Sequence, residues 1–274
     1  MTAVAIADAA ELTARHLVAR ALAAALAPPD PLRDRAAREL DERTMVAAWS
    51  MIESPQTSRP GTQPGQTASG AAGERHACDP AALVQWFSFP LRARREAFQQ
   101  VFGLVIAQHC PSCETEYMRA GDAFARAQAM ADIAGFYRAF GVQVDTRVSH
   151  RPDHVAAELE FIALLHAQAS ADDCPEVTRD TIRAAHAAFV RDHLSTWLSA
   201  FGRLLEHRAA AVRNSAQPAP TDAVRCLEEI GRLVQAWAES ECRYAKVPPT
   251  ASQLPVLTVE DEESDSACAA CESP

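Results

Sequence analysis

Residues 130–165 read MADIAGFYRAFGVQVDTRVSHRPDHVAAELEFIALL, and this stretch decides the fold. Apolar residues in its first half recur at steps of three and four, at Met130, Ile133, Tyr137 and Phe140. That spacing predicts a helix with one buried face. Gly141 follows directly, and glycine readily adopts the left-handed backbone conformation that ends a helix.

A second helix is predicted to begin at Arg151-Pro152-Asp153-His154. Proline suits a first helical turn because its missing N–H would have no partner there, and Asp153 brings a negative charge to the positive end of the helix dipole. The apolar stripe continues through Val155, Leu159 and Ile162. We therefore expect two helices, joined by a charged junction that carries a histidine, at the centre of an all-α protein.

Composition agrees with a helical protein. The chain has 274 residues, 48% of them apolar and only 10 of them glycine, which suits one large domain with its own core. Residues 54–79 are rich in Pro, Gly, Ser, Thr and Gln, and residues 247–274 are acidic and lack periodicity. We expect a single helical-bundle domain of about ten helices over residues 1–246, a flexible insertion at 54–79 and a disordered acidic tail at 247–274.

Similar spacing extends the helical prediction to both sides of the centre. An Ala/Leu helix over about residues 10–27 should end at Pro28-Pro29, and a second helix should start near Leu32. The predicted apolar face of the second helix comprises Met45, Trp49 and Ile52, and that of the helix after Pro90 comprises Phe98, Val101, Phe102, Val105 and Ile106. A long helix of six or seven turns is predicted from Ile182, Phe189, Trp197 and Phe201. The last helix is predicted from Val224, Ile230 and Trp237.

Charge and targeting patterns narrow the function classes. The formal net charge is −10 and Lys246 is the only lysine, so a role in binding nucleic acid, which needs clustered basic residues, is not expected. An acidic surface instead suits a basic partner segment. The sequence shows no secretory signal and no run of apolar residues long enough to span a membrane, so we expect a cytoplasmic protein with reduced cysteines.

Three further motifs carry a family resemblance. They are the turn Cys110-Pro111-Ser112-Cys113-Glu114-Thr115-Glu116-Tyr117, the helix end Tyr137-Arg138-Ala139-Phe140-Gly141, and the string His193-Leu194-Ser195-Thr196-Trp197. Together with Pro152-Asp153-His154 and Glu158-Leu159, and in this order, they resemble the TorD/DmsD/NarJ family of redox-enzyme maturation chaperones. One departure is Cys113, which stands where the family usually has an aromatic residue.

The resemblance implies an all-α cytoplasmic chaperone that is not an enzyme. Its partner would be the precursor of a molybdopterin oxidoreductase catalytic subunit, bound through the apo form or its twin-arginine leader before cofactor insertion and export. The resemblance places Asp153 and His154 beside the leader groove. Carboxylates for the leader's guanidinium groups would come from Asp153, Glu158, Glu114 and Glu116. An apolar floor would come from Tyr117, Tyr137 and Phe140. Monomer and homodimer are both open.

Cysteine spacing supports an alternative function. Cys110-x-x-Cys113 and Cys268-x-x-Cys271 both have the spacing of zinc ligands, and four thiolates would complete a tetrahedral site. A zinc- or redox-responsive helical regulator would use such a site. No glycine of a zinc knuckle follows either pair, so the simpler expectation is free thiols and no cofactor.

Enzyme signatures are missing from the sequence. It contains no P-loop, no Gly-rich dinucleotide turn, no Gly-x-Ser-x-Gly elbow and no His-Glu-x-x-His, and we predict no catalytic residue. His154 and Glu158 lie four residues apart on one predicted helix. They could bind a metal or act as acid and base, but a pair of surface side chains is the simpler interpretation.

Overall fold

The computed structural model of the protein describes residues 3–31, 40–53, 78–103, 110–118, 123–145, 151–215 and 219–248. Helices account for the regular secondary structure of these residues. No strand occurs among these residues, so the predicted all-α fold is confirmed. The α-helices are α1 (Ala3–Leu26), α2 (Glu42–Glu53), α3 (Ala81–Ser88), α4 (Leu91–Phe102), α5 (Ala123–Ala139), α6 (Val155–Ser170), α7 (Glu176–Phe189), α8 (Ser195–Asn214) and α9 (Thr221–Ala245).

Two short elements complete this set. A 3-10 helix spans Glu114–Glu116, and a π-helix at Val190–Leu194 joins α7 to α8 without a break. The predicted long helix therefore exists as one rod from Glu176 to Asn214. Because α7 and α8 form one rod, the described ranges contain slightly fewer separate helices than the ten predicted.

The hydrophobic core runs through all parts of the bundle. Helix α1 packs against α2 on one side and α6 on the other, while α9 packs against α8, α3 and α4. From Leu12 onwards most side chains of α1 are buried, and a helix buried in this way lies inside a domain. Trp86, Trp197 and Trp237 are each at most 1% exposed and contribute the largest apolar side chains of the core.

Several predicted boundaries can be compared with the structure. Gly141 has a φ of +72° and follows the end of α5, as its position predicted. Helix α6 begins at Val155 and not at Arg151, so the prediction for its start was wrong. The side chain of Asp79 accepts a hydrogen bond from the backbone of Ala81 at 2.9 Å and so takes part in the start of α3. The predictions for the remainder of the 54–79 insertion, for Val105 and Ile106, and for most of the tail lie outside the described residues.

No helix in the described ranges is long and apolar enough to cross a membrane. The separate expectation of a cytoplasmic location stays a prediction.

Helices α8 and α9 approach each other closely at two glycines. A Cβ atom on Gly231 would lie 2.7 Å from the backbone nitrogen of Glu206 and 2.8 Å from the carbonyl oxygen of Gly202. A Cβ atom on Gly202 would lie 2.8 Å from the carbonyl oxygen of Gly231. Because these neighbours are backbone atoms, a side chain at either position would push the two helices apart.

We therefore expect Gly231→Ala to lower the free energy of unfolding by about 1–3 kcal/mol, as overpacked cores do. Gly135→Ala is the matched control, because its Cβ would meet only the flexible end of Arg138, 4.0 Å away. Alanine in a helix interior is favoured over glycine by about 0.5–1 kcal/mol, so the control should gain stability. Urea denaturation of both variants measures the change in the free energy of unfolding. Equal changes in the two variants would refute the close approach of α8 and α9.

Candidate functional site

Backbone hydrogen bonds join two of the sequence motifs into one structure. Cys113 and His154 form an isolated antiparallel β-bridge. On either side of it the backbone nitrogen of Glu114 donates to the carbonyl of Asp153, and that of Val155 donates to the carbonyl of Ser112, both at 2.8 Å. The turn at 110–117 and the start of α6 are therefore held together; we call this region the junction.

Asp153 is fully buried in the junction, and its carboxylate is used there. It accepts hydrogen bonds from the hydroxyl of Thr115 at 2.8 Å, from the backbone nitrogen of Thr115 at 3.2 Å and from the Nε of Arg151 at 2.9 Å. The expected placement in the first turn of α6 is wrong, since α6 starts two residues later. His154 is instead the N-cap residue of α6, and its Nδ1 accepts from the backbone of Ala156 at 3.2 Å.

Replacing Asp153 with alanine should lower the free energy of unfolding by about 2–4 kcal/mol, because the buried donors of Thr115 lose their acceptor. Asp192→Ala is the control, since the carboxylate of Asp192 lies at the surface and pairs with the exposed Arg191. A surface ion pair contributes about 0–1 kcal/mol, so the control should change little. Chemical denaturation checks both variants, and a small effect at Asp153 would contradict its structural role.

Glu158 is also buried, which corrects the interpretation of His154 and Glu158 as a surface pair. Its side chain is fully buried, and one carboxyl oxygen accepts from the indole nitrogen of Trp197 at 3.3 Å. Burial, together with the nearby charges of Glu114 and Asp153, raises the pKa of Glu158 well above its usual range. This environment favours the neutral form of the side chain, which is not exposed to a partner.

His193 connects the junction to α5. Its Nδ1 lies 3.1 Å from the carboxylate of Glu114 and its Nε2 lies 3.2 Å from that of Asp132. Burial opposes a charge on this ring, but the hydrogen bonds and charges of the two carboxylates prevail and raise its pKa. His193 lies in the π-helix, an uncommon element that is frequent at functional sites. The arrangement favours a doubly protonated imidazole that bridges two acids.

The raised pKa of His193 predicts a pH-dependent contribution to stability. Because the folded value exceeds the unfolded value of 6.5, the contribution is complete below about pH 6.5 and is lost as the pH rises through the folded pKa. His193→Gln should therefore cost about 1.5–3 kcal/mol below pH 6.5, as charged hydrogen bonds do, and less in alkaline solution.

Denaturant unfolding of the wild type and of His193→Gln, once below pH 6.5 and once in alkaline solution, measures this difference in stability. His207→Gln, at an exposed position of α8, should have little effect at either pH. An equal cost of His193→Gln at both pH values would show that the imidazolium does not act in this way.

A surface cleft lies beside the junction, and we call it the turn cleft. It has a volume of about 410 Å³ and is lined by Glu114, Tyr117, Met118, Ala125, Asp192, Thr196 and Trp197. Tyr117 is half-buried: its hydroxyl donates to the carbonyl of Pro111 at 2.7 Å and its ring packs on Trp197. Glu116 directly precedes the cleft residue Tyr117 in the sequence, and its side chain is exposed. The turn cleft thus combines an aromatic floor with carboxylates.

A second cleft lies at the end of α5, and we call it the α5 cleft. It has a volume of about 330 Å³ and is lined by Tyr137, Val142, Gln143, Val144, Asp145, Ala156, Ala157, Glu160, Phe161 and Leu164. Tyr137 donates its hydroxyl to the carbonyl of Pro152 at 2.8 Å, and the half-buried Phe140 packs on Phe161. Of the predicted binding residues, Glu114 and Tyr117 line the turn cleft, Tyr137 lines the α5 cleft, and Glu116 and Phe140 line neither. Asp153, His154 and Glu158 are buried in the junction.

The comparisons with known proteins concern this part of the chain. The family described as nitrate reductase delta subunit matches residues 82–203, which include the junction, the π-helix and both clefts. The chain resembles this family over that segment, which is less than half of its length. The TorD/DmsD/NarJ resemblance is thereby confirmed.

One curated relative is 31% identical over 67 residues: the perchlorate reductase assembly chaperone protein of Dechloromonas aromatica (strain RCB). That match spans 24% of this chain and 30% of the relative, so the chain covers less than a third of its length. No solved structure is significantly similar to the chain.

Sequence reasoning missed several residues of the site. His193 was named only as part of a motif, although it joins Glu114 to α5, and Asp132 gave no signal because its partner lies 61 residues away. Met118, Asp192 and Thr196 line the turn cleft but belong to no recognisable pattern. Phe124 was also missed, and its side chain is 81% exposed beside the cleft residue Ala125.

The cysteines of the alternative zinc hypothesis lie partly within the described residues. Cys110 and Cys113 are free and buried, whereas Cys268 and Cys271 lie outside those residues. Burial raises the pKa of both described thiols, that of Cys113 to about 12. Because zinc binds the thiolate, this environment is unfavourable for metal binding by the 110–113 pair.

A different group of potential metal ligands lies at the opposite end of α6. His166, His186 and Glu241 place their donor atoms within 4.8 Å of one another, and each side chain is at most 3% exposed. Burial lowers the pKa of His166 to about 4. Burial opposes ionisation of Glu241, but its interactions with His166 and with the charged Arg15 hold the pKa of that carboxyl well below its usual range. No sequence pattern indicated this group, because its members lie on three helices.

Proposed function

We propose that this protein is an assembly chaperone for an oxidoreductase that contains molybdopterin. In this proposal it binds the apo form or the twin-arginine leader of the catalytic subunit in the cytoplasm, before cofactor insertion and export. The observation that carries the proposal is the family match over residues 82–203, the segment that builds the junction and both clefts. The relative named as an assembly chaperone of perchlorate reductase supports the same class of function.

The turn cleft is the proposed binding site for the leader. A twin-arginine leader presents guanidinium groups followed by an apolar stretch, so it needs carboxylates beside an apolar surface. The cleft offers the half-buried Tyr117 and Met118 as its apolar surface, and the buried ring of Trp197 lies behind Tyr117. Asp192 lies in its lining and Glu116 lies beside it, both exposed. The net charge of −10 would steer a basic segment towards the protein.

The buried carboxylates have a supporting role in this proposal. Asp153 and Glu158 hold the junction in shape, and Glu114 fixes His193 behind the cleft. They would therefore act on the leader through the position of Tyr117 and Trp197 and not by direct contact. Such a chaperone needs no catalytic residue, because a higher affinity for the unfilled precursor is enough to hold it back from export.

No observation on the described residues favours the zinc- or redox-responsive regulator. The two buried thiols of that hypothesis have raised pKa values, and the other two cysteines of the set lie outside the described residues. The regulator stays a prediction that metal analysis can test.

The proposal is tested by affinity capture with the full-length protein from its native cells under molybdenum limitation, followed by mass spectrometry. We expect the wild type to retain the catalytic subunit of a molybdopterin oxidoreductase with its leader uncleaved. Met118→Asp with Asp192→Arg should reduce recovery at least tenfold, because the cleft would lose apolar surface and reverse a charge.

Two matched variants serve as controls. Val177→Asp changes a side chain that is 80% exposed on α7 and should retain the subunit fully. Val142→Asp changes the α5 cleft. Loss of binding in that variant alone would move the site to the α5 cleft, while failure of the wild type to retain any such subunit would refute the chaperone function.

A further inference from the structure

Four helices meet around one buried carboxylate, far along α6 from the junction. Glu241 on α9 is 1% exposed, and the Nε2 atoms of His166 on α6 and His186 on α7 lie 3.0 and 2.7 Å from its Oε2. The guanidinium of Arg15 on α1 donates to Oε1 at 2.7 Å. Both imidazoles therefore present their Nε2 atoms to Oε2 of Glu241, while Oε1 of the same carboxylate is bound by Arg15.

We propose that His166, His186 and Glu241 bind a divalent transition-metal ion, with Zn²⁺ the best match. Two imidazole nitrogens and one carboxylate oxygen form a donor set that zinc uses in proteins, and a fourth position is left for a small ligand such as water. Among the described residues this is the one group of three such side chains with convergent donor atoms.

Two of the three donor separations in the group are close to those of a metal site, and all three are within 4.8 Å. Zinc lies about 2.0–2.1 Å from nitrogen and oxygen ligands, so two ligands of a tetrahedral ion lie about 3.3 Å apart. The separations of 2.7 and 3.0 Å would have to increase by only a few tenths of an ångström. The ligands lie on three helices, which limits their motion in a way that surface loops would not.

Arg15 and Tyr244 complete the surroundings of the site. Arg15 binds the oxygen of Glu241 that points away from the histidines, and so orients the carboxylate as outer-shell partners of metal ligands do. The ring of Tyr244 packs edge-on against both histidines and lies under the guanidinium of Arg15. An ion there would connect α6, α7 and α9, and because the site is buried it would enter during folding and exchange slowly.

Metal content of the full-length protein tests the proposal. The protein is produced with added Zn²⁺ and dialysed against a weak chelator. Elemental mass spectrometry then gives the number of zinc ions per chain. We expect about one Zn²⁺ per chain in the wild type and at least a tenfold lower content in His186→Gln and Glu241→Gln. His16→Gln is the matched control, because this half-buried histidine on α1 binds the carbonyl of Ala163 and lies outside the group.

Cobalt spectra separate this site from the cysteine pairs. The wild type refolded with Co²⁺ should show visible d–d bands without the near-ultraviolet charge-transfer band of a cobalt–thiolate bond, and Cys268→Ser with Cys271→Ser should leave that spectrum unchanged. This measurement needs only the wild type if the histidine variants fail to fold. The proposal is overturned if the wild type retains no zinc, if the metal survives His186→Gln, or if a thiolate band appears.

Discussion

The hydrogen-bonded pairing of 112–114 with 153–155 is the constraint on which the site depends. It is a single antiparallel β-bridge flanked by two backbone hydrogen bonds in a helical protein, and it joins segments about forty residues apart. Bonds of this kind are stabilising because buried backbone groups must be paired. The side chain of Asp153 strengthens the pairing by binding Thr115 on the other segment. The turn cleft has its shape because this turn is fixed.

Buried acids occur at both ends of α6, and each is stabilised differently. Asp153 is bound by hydrogen-bond donors and an arginine, Glu158 has a pKa raised by burial, and Glu114 is held by His193. Glu241, at the far end of the bundle, is held as an anion by Arg15 and two histidines. A buried charge is tolerated only with such partners. Two separate polar networks therefore lie at the two ends of α6.

The sequence predicted the parts of the fold that depend on local spacing. The stripes of Ile133 and Tyr137 on α5 and of Leu159 and Ile162 on α6 appear because helical periodicity is a local property. The burial of Asp153 and Glu158 was not foreseen, because it depends on partners such as Thr115 and Trp197 that are distant in sequence. The same reason hid Asp132 and the group around Glu241, whose members are brought together only by helix packing.

The π-helix between α7 and α8 has a consequence for how this rod is used. A π-turn accommodates one residue more than an α-turn, so the side chains beyond it are rotated by about 100° relative to a continuous α-helix. Helix α7 packs against α6, whereas α8 packs against α9 and α4. One uninterrupted rod thus presents its apolar stripe to two different neighbours in succession. The phase shift lets one continuous helix pack against different neighbours along its length, and His193 lies in the π-helix between the two parts.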